Sequence, residues 1–261
     1  MNEHSEDNVF VEERKQKIIN YVNQNVKATV PELSEQFSVS AATIRNDLRE
    51  LDSRGLIRRT HGGAIAASFV NFEPTSSEKM VRRMQEKQAI ARAALEYVKE
   101  GSCIALDAGT TNLELAKALT GFQNLTVLTH DLNIAAFLDN NSQVSLIVAG
   151  GMVRRNFHYT SGEKAVATFR DLNVDVAFIA ANRVSVGRGL STPRMETARM
   201  KQQMMRNAQK TVLLADSSKL GKVSFVRFAD WKDISLFITD KSMDPAAVQA
   251  ISEKETEVKL V

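Results

Sequence analysis

Two stretches of the chain carry residue types whose spacing suits chemistry. The first is Asp107-Ala108-Gly109-Thr110-Thr111-Asn112, which follows the apolar run 103–106 and precedes Leu113, Leu115, Ala116 and Leu119. A strand, a glycine turn and a helix start in that order bring backbone N–H groups, two threonine hydroxyls and the positive end of a helix dipole to one point, which suits a phosphate. Threonine and asparagine also cap ordinary helices, so the loop carries this reading only together with its surroundings. Those surroundings are polar: Thr129-His130-Asp131-Leu132-Asn133, Gly150-Gly151 and Asp216-Ser217-Ser218-Lys219-Leu220-Gly221 each follow another apolar run. Ligands of open α/β sheets gather at such strand ends.

The second stretch is basic. Arg45, Arg49, Arg54, Arg58 and Arg59 crowd together against Asp47, Glu50 and Asp52. At 100° per residue, Ile44, Leu48 and Leu51 share one face of a helix that Ser40 would cap and Gly55 would close. The opposite face then holds Ala42, Asn46, Arg49 and Ser53, flanked by Thr43 and Arg45. Small residues allow close approach, while Asn and Arg donate paired hydrogen bonds to purine edges in a major groove.

Elements that must position these residues can be read from the apolar spacing. Ile18, Ile19, Val22 and Val26 predict a first helix over 12–25, and Pro31, Leu33 and Phe37 a shorter second one ending near 38. The third helix runs from 41 to about 53, and the segment 56–65 reads as a hairpin turning at Gly62-Gly63. The pattern then dissolves into Ser68, Asn71, Pro74, Thr75, Ser76 and Ser77, the expected linker. A long amphipathic helix is expected over 77–99, stopped by Gly101. Apolar runs at 103–106, 125–128, 144–148, 174–179, 211–215 and 236–238, alternating with helical or turn segments, predict a mostly parallel sheet covered on both faces. The expected domains are a DNA-binding head over 12–67, a linker over 68–78 and an α/β domain over 79–261.

Composition excludes several classes. The 261 residues are 43% hydrophobic and 25% charged, which rules out disorder as the dominant state. Apolar runs are far shorter than the roughly 18 residues of a membrane span, and the polar start 1–7 does not suit an export signal, so a cytoplasmic protein is expected. One cysteine, Cys103, excludes an internal disulfide, and four histidines without close spacing give no reason to expect a metal. Cys103, inside a strand, is expected in the core. The net charge of +3 does not by itself argue for nucleic acid, so the placement of the arginines has to.

The stretch Val30-Pro31-Glu32-Leu33-Ser34-Glu35-Gln36-Phe37-Ser38-Val39-Ser40-Ala41-Ala42-Thr43-Ile44-Arg45-Asn46-Asp47-Leu48-Arg49-Glu50-Leu51 resembles the helix-turn-helix of the DeoR family of bacterial transcription regulators. The segment 55–64 is similar to that family's wing, and the resemblance continues from 77 to Asp240. It implies a winged helix-turn-helix joined to an α/β sensor domain similar in fold to ribose-5-phosphate isomerase and CoA transferases. It further implies that Ser40, Thr43, Arg45, Asn46 and Arg49 face the major groove, with Arg58, Arg59 and His61 near phosphates or the minor groove. In the sensor domain it puts Gly109, Thr110 and Thr111 on the phosphate of a sugar, Asp107, Asn133 and the Gly151 backbone on the sugar itself, and Lys219 at a charged contact.

Three positions depart from the family pattern. Asn46 stands where a second arginine is usual, Ala180-Ala181-Asn182-Arg183 replaces a glycine-rich turn, and Thr197 takes the place of a glutamate. Asp47 and Glu50 would repel DNA and are expected to pair with Arg45 or Arg54. His130 and His158 are expected as satisfied surface residues, and Arg183, Arg188 and Arg194 as a solvated basic loop.

These readings lead to a metabolite-responsive repressor of a sugar-utilisation operon, without catalytic residues, metal or cofactor. Its expected partners are double-stranded operator DNA, a phosphorylated sugar and further copies of itself in a dimer or tetramer, and no membrane. The competing class is a sugar-phosphate isomerase or transferase with an accessory DNA-binding domain, for which Asp107 and Lys219 would be the acid–base pair. An RNA-binding module lacks the exposed aromatics that stack bases.

Overall fold

The computed structural model describes residues 3–25, 27–66 and 73–261. Residues 68–72 of the expected linker, and Val26 of the expected first helix, lie outside the described residues. The chain divides into two compact units, Met1–Val70 and Asn71–Val261.

In the first unit, α1 (Glu3–Asn25), α2 (Val30–Phe37) and α3 (Ala41–Ser53) enclose Ile18, Val22, Leu33, Ile44, Leu48 and Leu51. Local chemistry sets their ends. Thr29 and Glu32 form a reciprocal capping box at α2, Ser40 caps α3 by accepting from the Thr43 N–H, and Gly55 takes the left-handed conformation after α3. Strands β1 (Lys27–Thr29), β2 (Ile57–Thr60) and β3 (Gly63–Ala66) form an antiparallel sheet in the order β1-β3-β2. The hairpin is as expected; β1 is an addition. It exists because Gly63 has no side chain: a Cβ there would lie 2.0 Å from the Ala28 carbonyl oxygen.

The second unit begins differently from its expected long helix. That helix is broken into α4 (Ser76–Met80) and α5 (Met84–Ala94), followed by a 3-10 turn at Leu95–Tyr97. The break has a cause. Arg83 adopts a left-handed φ of 51°, and the buried Lys87 turns its ammonium back onto the carbonyls of Lys79 and Arg82. A buried cation needs such acceptors, and an unbroken helix would have consumed them.

The chain continues through β4 (Cys103–Leu106), α6 (Thr110–Ala118), β5 (Thr126–Thr129), α7 (Leu132–Asn141) and β6 (Ser145–Val148). A hairpin of β7 (Met152–Arg154) and β8 (Tyr159–Ser161) and the helix α8 (Glu163–Arg170) lead to β9 (Val174–Ala180). Next come β10 (Arg183–Ser185), β11 (Gly189–Thr192), α9 (Met195–Arg206), β12 (Ala208–Leu214) and β13 (Val226–Ala229). The chain closes with β14 (Leu236–Thr239), α10 (Pro245–Ser252) and β15 (Glu257–Leu260).

Among the described residues the main sheet has seven strands, in the order β15-β14-β12-β9-β4-β5-β6, every neighbouring pair parallel. Alternate residues of each strand enter different cores. Ile104, Leu106, Val176, Phe178, Val212 and Leu214 pack with α5 and α6, whereas Ala105, Ala177, Ile179, Leu213 and Phe237 pack with residues of α8 and α9 and with Trp231. Burial on both faces explains why these strands read as continuous apolar runs. The order reverses between β4 and β9: the chain builds outward through β5 and β6, then returns to build through β12, β14 and β15. Loops leaving a sheet at such a point diverge and open a crevice. Cys103 is partly buried and packs against the core, as expected. Among the described residues no helix is long and apolar enough to cross a membrane.

Candidate functional sites

In the first unit the structure turns the expected face of α3 outward. Ala42, Arg45, Asn46, Arg49 and Ser53 are exposed and Thr43 is half-buried, while Ile44, Leu48 and Leu51 lie in the core. Arg49 donates to the Asn46 side-chain oxygen at 3.1 Å, so the two groups suited to base edges hold each other in place. The Ser40 hydroxyl is committed to the cap, accepting from the Thr43 N–H and meeting the Thr43 hydroxyl at 2.9 Å. Arg58 and Arg59 are half-buried on β2, and His61 is exposed at the turn of the hairpin.

The acidic residues of α3 correct the sequence reading. Asp47 is buried and takes both contacts from Arg14 of α1, at 2.7 and 3.2 Å, and so does not pair with Arg45 or Arg54. Glu50 pairs with Lys15 at 2.7 Å and, as expected, with Arg54 at 3.5 Å. Both carboxylates are thus drawn toward α1, and the outward face keeps its basic character.

In the second unit the expected ligand residues follow the carboxyl ends of β4, β5, β6 and β12. Gly109 caps α6 without any side-chain capping bond, so the first N–H groups of that helix have no side-chain acceptor. The turn before them is fixed: His130 Nε2 accepts from the Ala108 N–H at 3.2 Å, and Asp131 from the Gly109 N–H at 3.1 Å. A Cβ on Gly109 would come within 3.3 Å of Ala180 at the end of β9, which places this loop at the reversal of strand order. Asn133 is half-buried at the start of α7, with its N–H donating to Asp131 at 2.8 Å. Lys219 lies in the 3-10 turn after β12, 3.8 Å from Asp216. The lack of a side chain at Gly151 is explained by packing, since a Cβ would meet the Ser161 carbonyl at 2.6 Å.

Asp107 is the main revision. It is fully buried: one oxygen faces His130 Nε2 at 3.1 Å, and the other accepts from the Ala180 N–H at 2.8 Å and from the Lys201 ammonium. Burial pushes its carboxyl up, but Lys201 and His130 more than reverse this and hold it at about 2. This geometry makes it the tie between β4, β9 and α9, with no surface open to solvent. His130 is likewise a core residue, its Nδ1 within 3.0 Å of the Thr160 carbonyl, and not a surface one. His158 is exposed, as is Arg194, which faces Glu196 at 3.7 Å.

A second charged cluster adjoins this one and was not legible in the sequence. Glu73 accepts from Lys79 at 2.6 Å, from Asn182 at 3.0 Å and from Arg154. Arg154 also donates to the Tyr159 hydroxyl, which lies 3.2 Å from the Thr197 hydroxyl. Thr197 and Lys201 are one turn apart on α9, so the two clusters share a wall. Burial pushes the Glu73 carboxyl up, but Lys79 and Arg154 pull it down to about 2. In the Asp107 cluster, Lys201 is a lysine among Met200 and Met204 on a buried helix face, a setting that could have marked it in the sequence.

Comparison with known proteins places both units. A model of the DeoR-like helix-turn-helix domain matches residues 14–69, and one of the DeoR C-terminal sensor domain matches residues 82–241. The HTH-type transcriptional regulator GlpR of Haloferax volcanii is 40% identical over 232 residues, 89% of this chain and 91% of that protein. The transcriptional repressor AccR of Agrobacterium fabrum is 33% identical over 93% of this chain and 94% of that one. Ribose 5-phosphate isomerase A of Methanocaldococcus jannaschii, a solved structure, is 20% identical over 52% of this chain and 54% of that chain, with a TM-score of 0.39. With a helix-turn-helix match at one end, a sensor-domain match across most of the rest and relatives similar over nearly their whole length, this chain belongs to the DeoR family of helix-turn-helix transcriptional regulators.

Proposed function

We propose that this regulator represses a carbohydrate-utilisation operon and is released from DNA by a phosphorylated sugar bound at the carboxyl ends of β4, β5, β6 and β12. The observation that carries the ligand reading is the start of α6: a helix N-terminus at the reversal of strand order, capped by a glycine, beside Thr110 and Thr111. In this reading Gly109, Thr110 and Thr111 hold the phosphate, Asn133 and the Gly151 backbone meet the sugar, and Lys219 supplies a charge. Asp107 acts at one remove, by fixing the loop. Asn46 and Arg49 read base edges, with Ala42, Thr43 and Arg45 beside them, Ser40 sets the start of the reading helix, and Arg58, Arg59 and His61 meet the backbone.

One reading helix buries too little surface for tight specific binding, so the working form is a dimer or tetramer in the cytoplasm, its paired helices spaced to the operator's half-sites. The reading as an enzyme loses support for its acid, because Asp107 is fully buried and Lys201 holds it ionised. Replacing Thr110 and Thr111 together by valine is expected to leave retardation of the chain's own upstream DNA intact and to abolish its response to a panel of sugar phosphates. An unchanged response would remove the loop from the mechanism, and failure of the native protein to retard that DNA at low ionic strength would overturn the reading as a whole.

A further inference from the structure

Glu73 is the first described residue after the wing, seven positions beyond Ala66. Its carboxylate is 7% exposed, whereas its partners Lys79 and Arg154 are 23% and 20% exposed and so remain open to solvent. The donors that meet it are held by other contacts. The Arg154 guanidinium lies 3.5 Å from the centre of the Phe157 ring and bonds the Tyr159 hydroxyl, and Asn182 is oriented by the Thr192 hydroxyl at 2.9 Å. Two cations and an amide N–H converging on one carboxylate make a site for any oxyanion, and this one persists when Glu73 leaves. Glu73 itself sits on an irregular stretch before α4, outside any strand or helix.

We propose that Arg154, Lys79 and Asn182 form an oxyanion subsite of the ligand cleft, that Glu73 is its resident occupant, and that a ligand's phosphate or carboxylate group displaces it and loosens the described stretch from Glu73 to α4. This rests on the reading of the cleft given above and adds a second anionic contact to it. Competition of this kind lowers apparent affinity by the fraction of molecules in which the subsite is vacant.

The test uses the full-length chain, with sodium phosphate and sodium acetate titrated separately at constant ionic strength. Two quantities are read: the thermal midpoint by fluorescence of the single tryptophan, Trp231, and the rate of tryptic cleavage after Lys79, Arg82 and Arg83. Glu73→Gln is expected to lower the half-saturating concentration of at least one ion by about tenfold or more, and to speed cleavage without any ion. Arg154→Met is expected to speed cleavage in the same way but to weaken ion binding. A merely structural ion pair would loosen the segment in both variants with no gain in anion affinity in either, and that result overturns the proposal. So does a Glu73→Gln protein that answers to neither ion. Phosphate acting alone identifies a phosphate subsite, and acetate acting as well identifies a general carboxylate one. If Glu73→Gln does not fold, Glu73→Asp, one methylene shorter, is expected to shift affinity in the same direction by a smaller factor; no shift overturns the proposal. Loss of the sugar-phosphate response in the Thr110 and Thr111 double variant is independent of these outcomes, so the two readings fail separately.

Discussion

Replacing Lys201 by methionine probes the tie that fixes the ligand loop. Methionine matches the aliphatic stem and removes the ammonium, leaving Asp107 ionised, fully buried and accepting only from the Ala180 N–H, with His130 Nε2 facing its other oxygen. Breaking a buried pair from one side costs about 3–5 kcal/mol, because the remaining charge is stranded. The Asp107 carboxyl, pushed up by burial but held down to about 2 chiefly by Lys201, points the same way. For a domain of this size the midpoint should fall by about 6–20 °C.

Trp231 is the chain's one tryptophan and is fully buried in the second unit, so urea unfolding followed by its fluorescence reports that unit alone. The sign with pH is fixed. In the native protein the depressed carboxyl contributes stability that is complete above about 4 and is lost as pH falls through about 2. In the variant burial is no longer offset by Lys201 and Asp107 takes a proton at higher pH, so the gap between the two proteins should narrow on acidification. The double variant Lys201→Met, Asp107→Asn removes both charges and should recover much of the loss. A Lys201→Met cost below about 1 kcal/mol at neutral pH, or a double variant no better than the single, would refute the assignment of this pair as the tie.

Other perturbations separate the head from the sensor. Arg49→Ala should relax discrimination at one operator base by about 1–3 kcal/mol in a gel-shift series of single-base variants, and an equal loss on random DNA would count against base reading. Asp47→Ala strands Arg14 against α3 and should destabilise the head by about 1–3 kcal/mol while Trp231 fluorescence reports an unchanged sensor; equal stability by head-specific hydrogen exchange would refute the pairing. Gly63→Ala drives a methyl into the Ala28 carbonyl and should cost the head about 1–3 kcal/mol or more, visible as lost amide protection in β1 and β3. A protein as stable as the parent would mean that β1 does not lie where the structure puts it.

What the sequence disclosed was local. The reading helix, its Ser40 cap and its outward Asn46 and Arg49 follow from period and capping alone, and the buried parallel strands announce themselves as apolar runs. What it concealed depends on distant residues or on very short elements. Lys201 and Asp107 are 94 positions apart, and Glu73 and Arg154 are 81 apart, so no local pattern links them. β1 is three residues whose pairing is permitted by a glycine on another strand. The sheet of β10, β11 and β13 and the hairpin of β7 and β8 are likewise built from strands of three or four residues, too few for alternation to register. The apolar spacing of 77–99 continues across a break that Lys87 imposes from the side.

The distribution of contacts also says where a response to ligand can arise. Around α6 the turn is held on every side: Asp107 by the Ala180 N–H and Lys201, Ala108 by His130, Gly109 by Asp131, and Asn112 by the carbonyls of Asp107 and Phe178 at 2.8 and 3.1 Å. A loop so tied presents its N–H groups without first being ordered, which favours affinity but leaves little to move. The stretch from Glu73 to α5 contrasts with it. Its α4 is five residues long, below the length at which a helix persists on its own, and it is anchored by Glu73 in the basic cluster, Ser76 on the Asn156 and Phe157 carbonyls, Met80 on the apolar core, Arg83 on Ser217 and Lys87 beneath. Several of these anchors are electrostatic, and a ligand's charge can compete for them. A rigid receptor loop paired with a displaceable tether divides the labour: one binds, the other transmits. The division requires that substitutions in the tether alter the response of DNA binding to ligand more than they alter ligand affinity at α6, and that substitutions in the loop do the reverse.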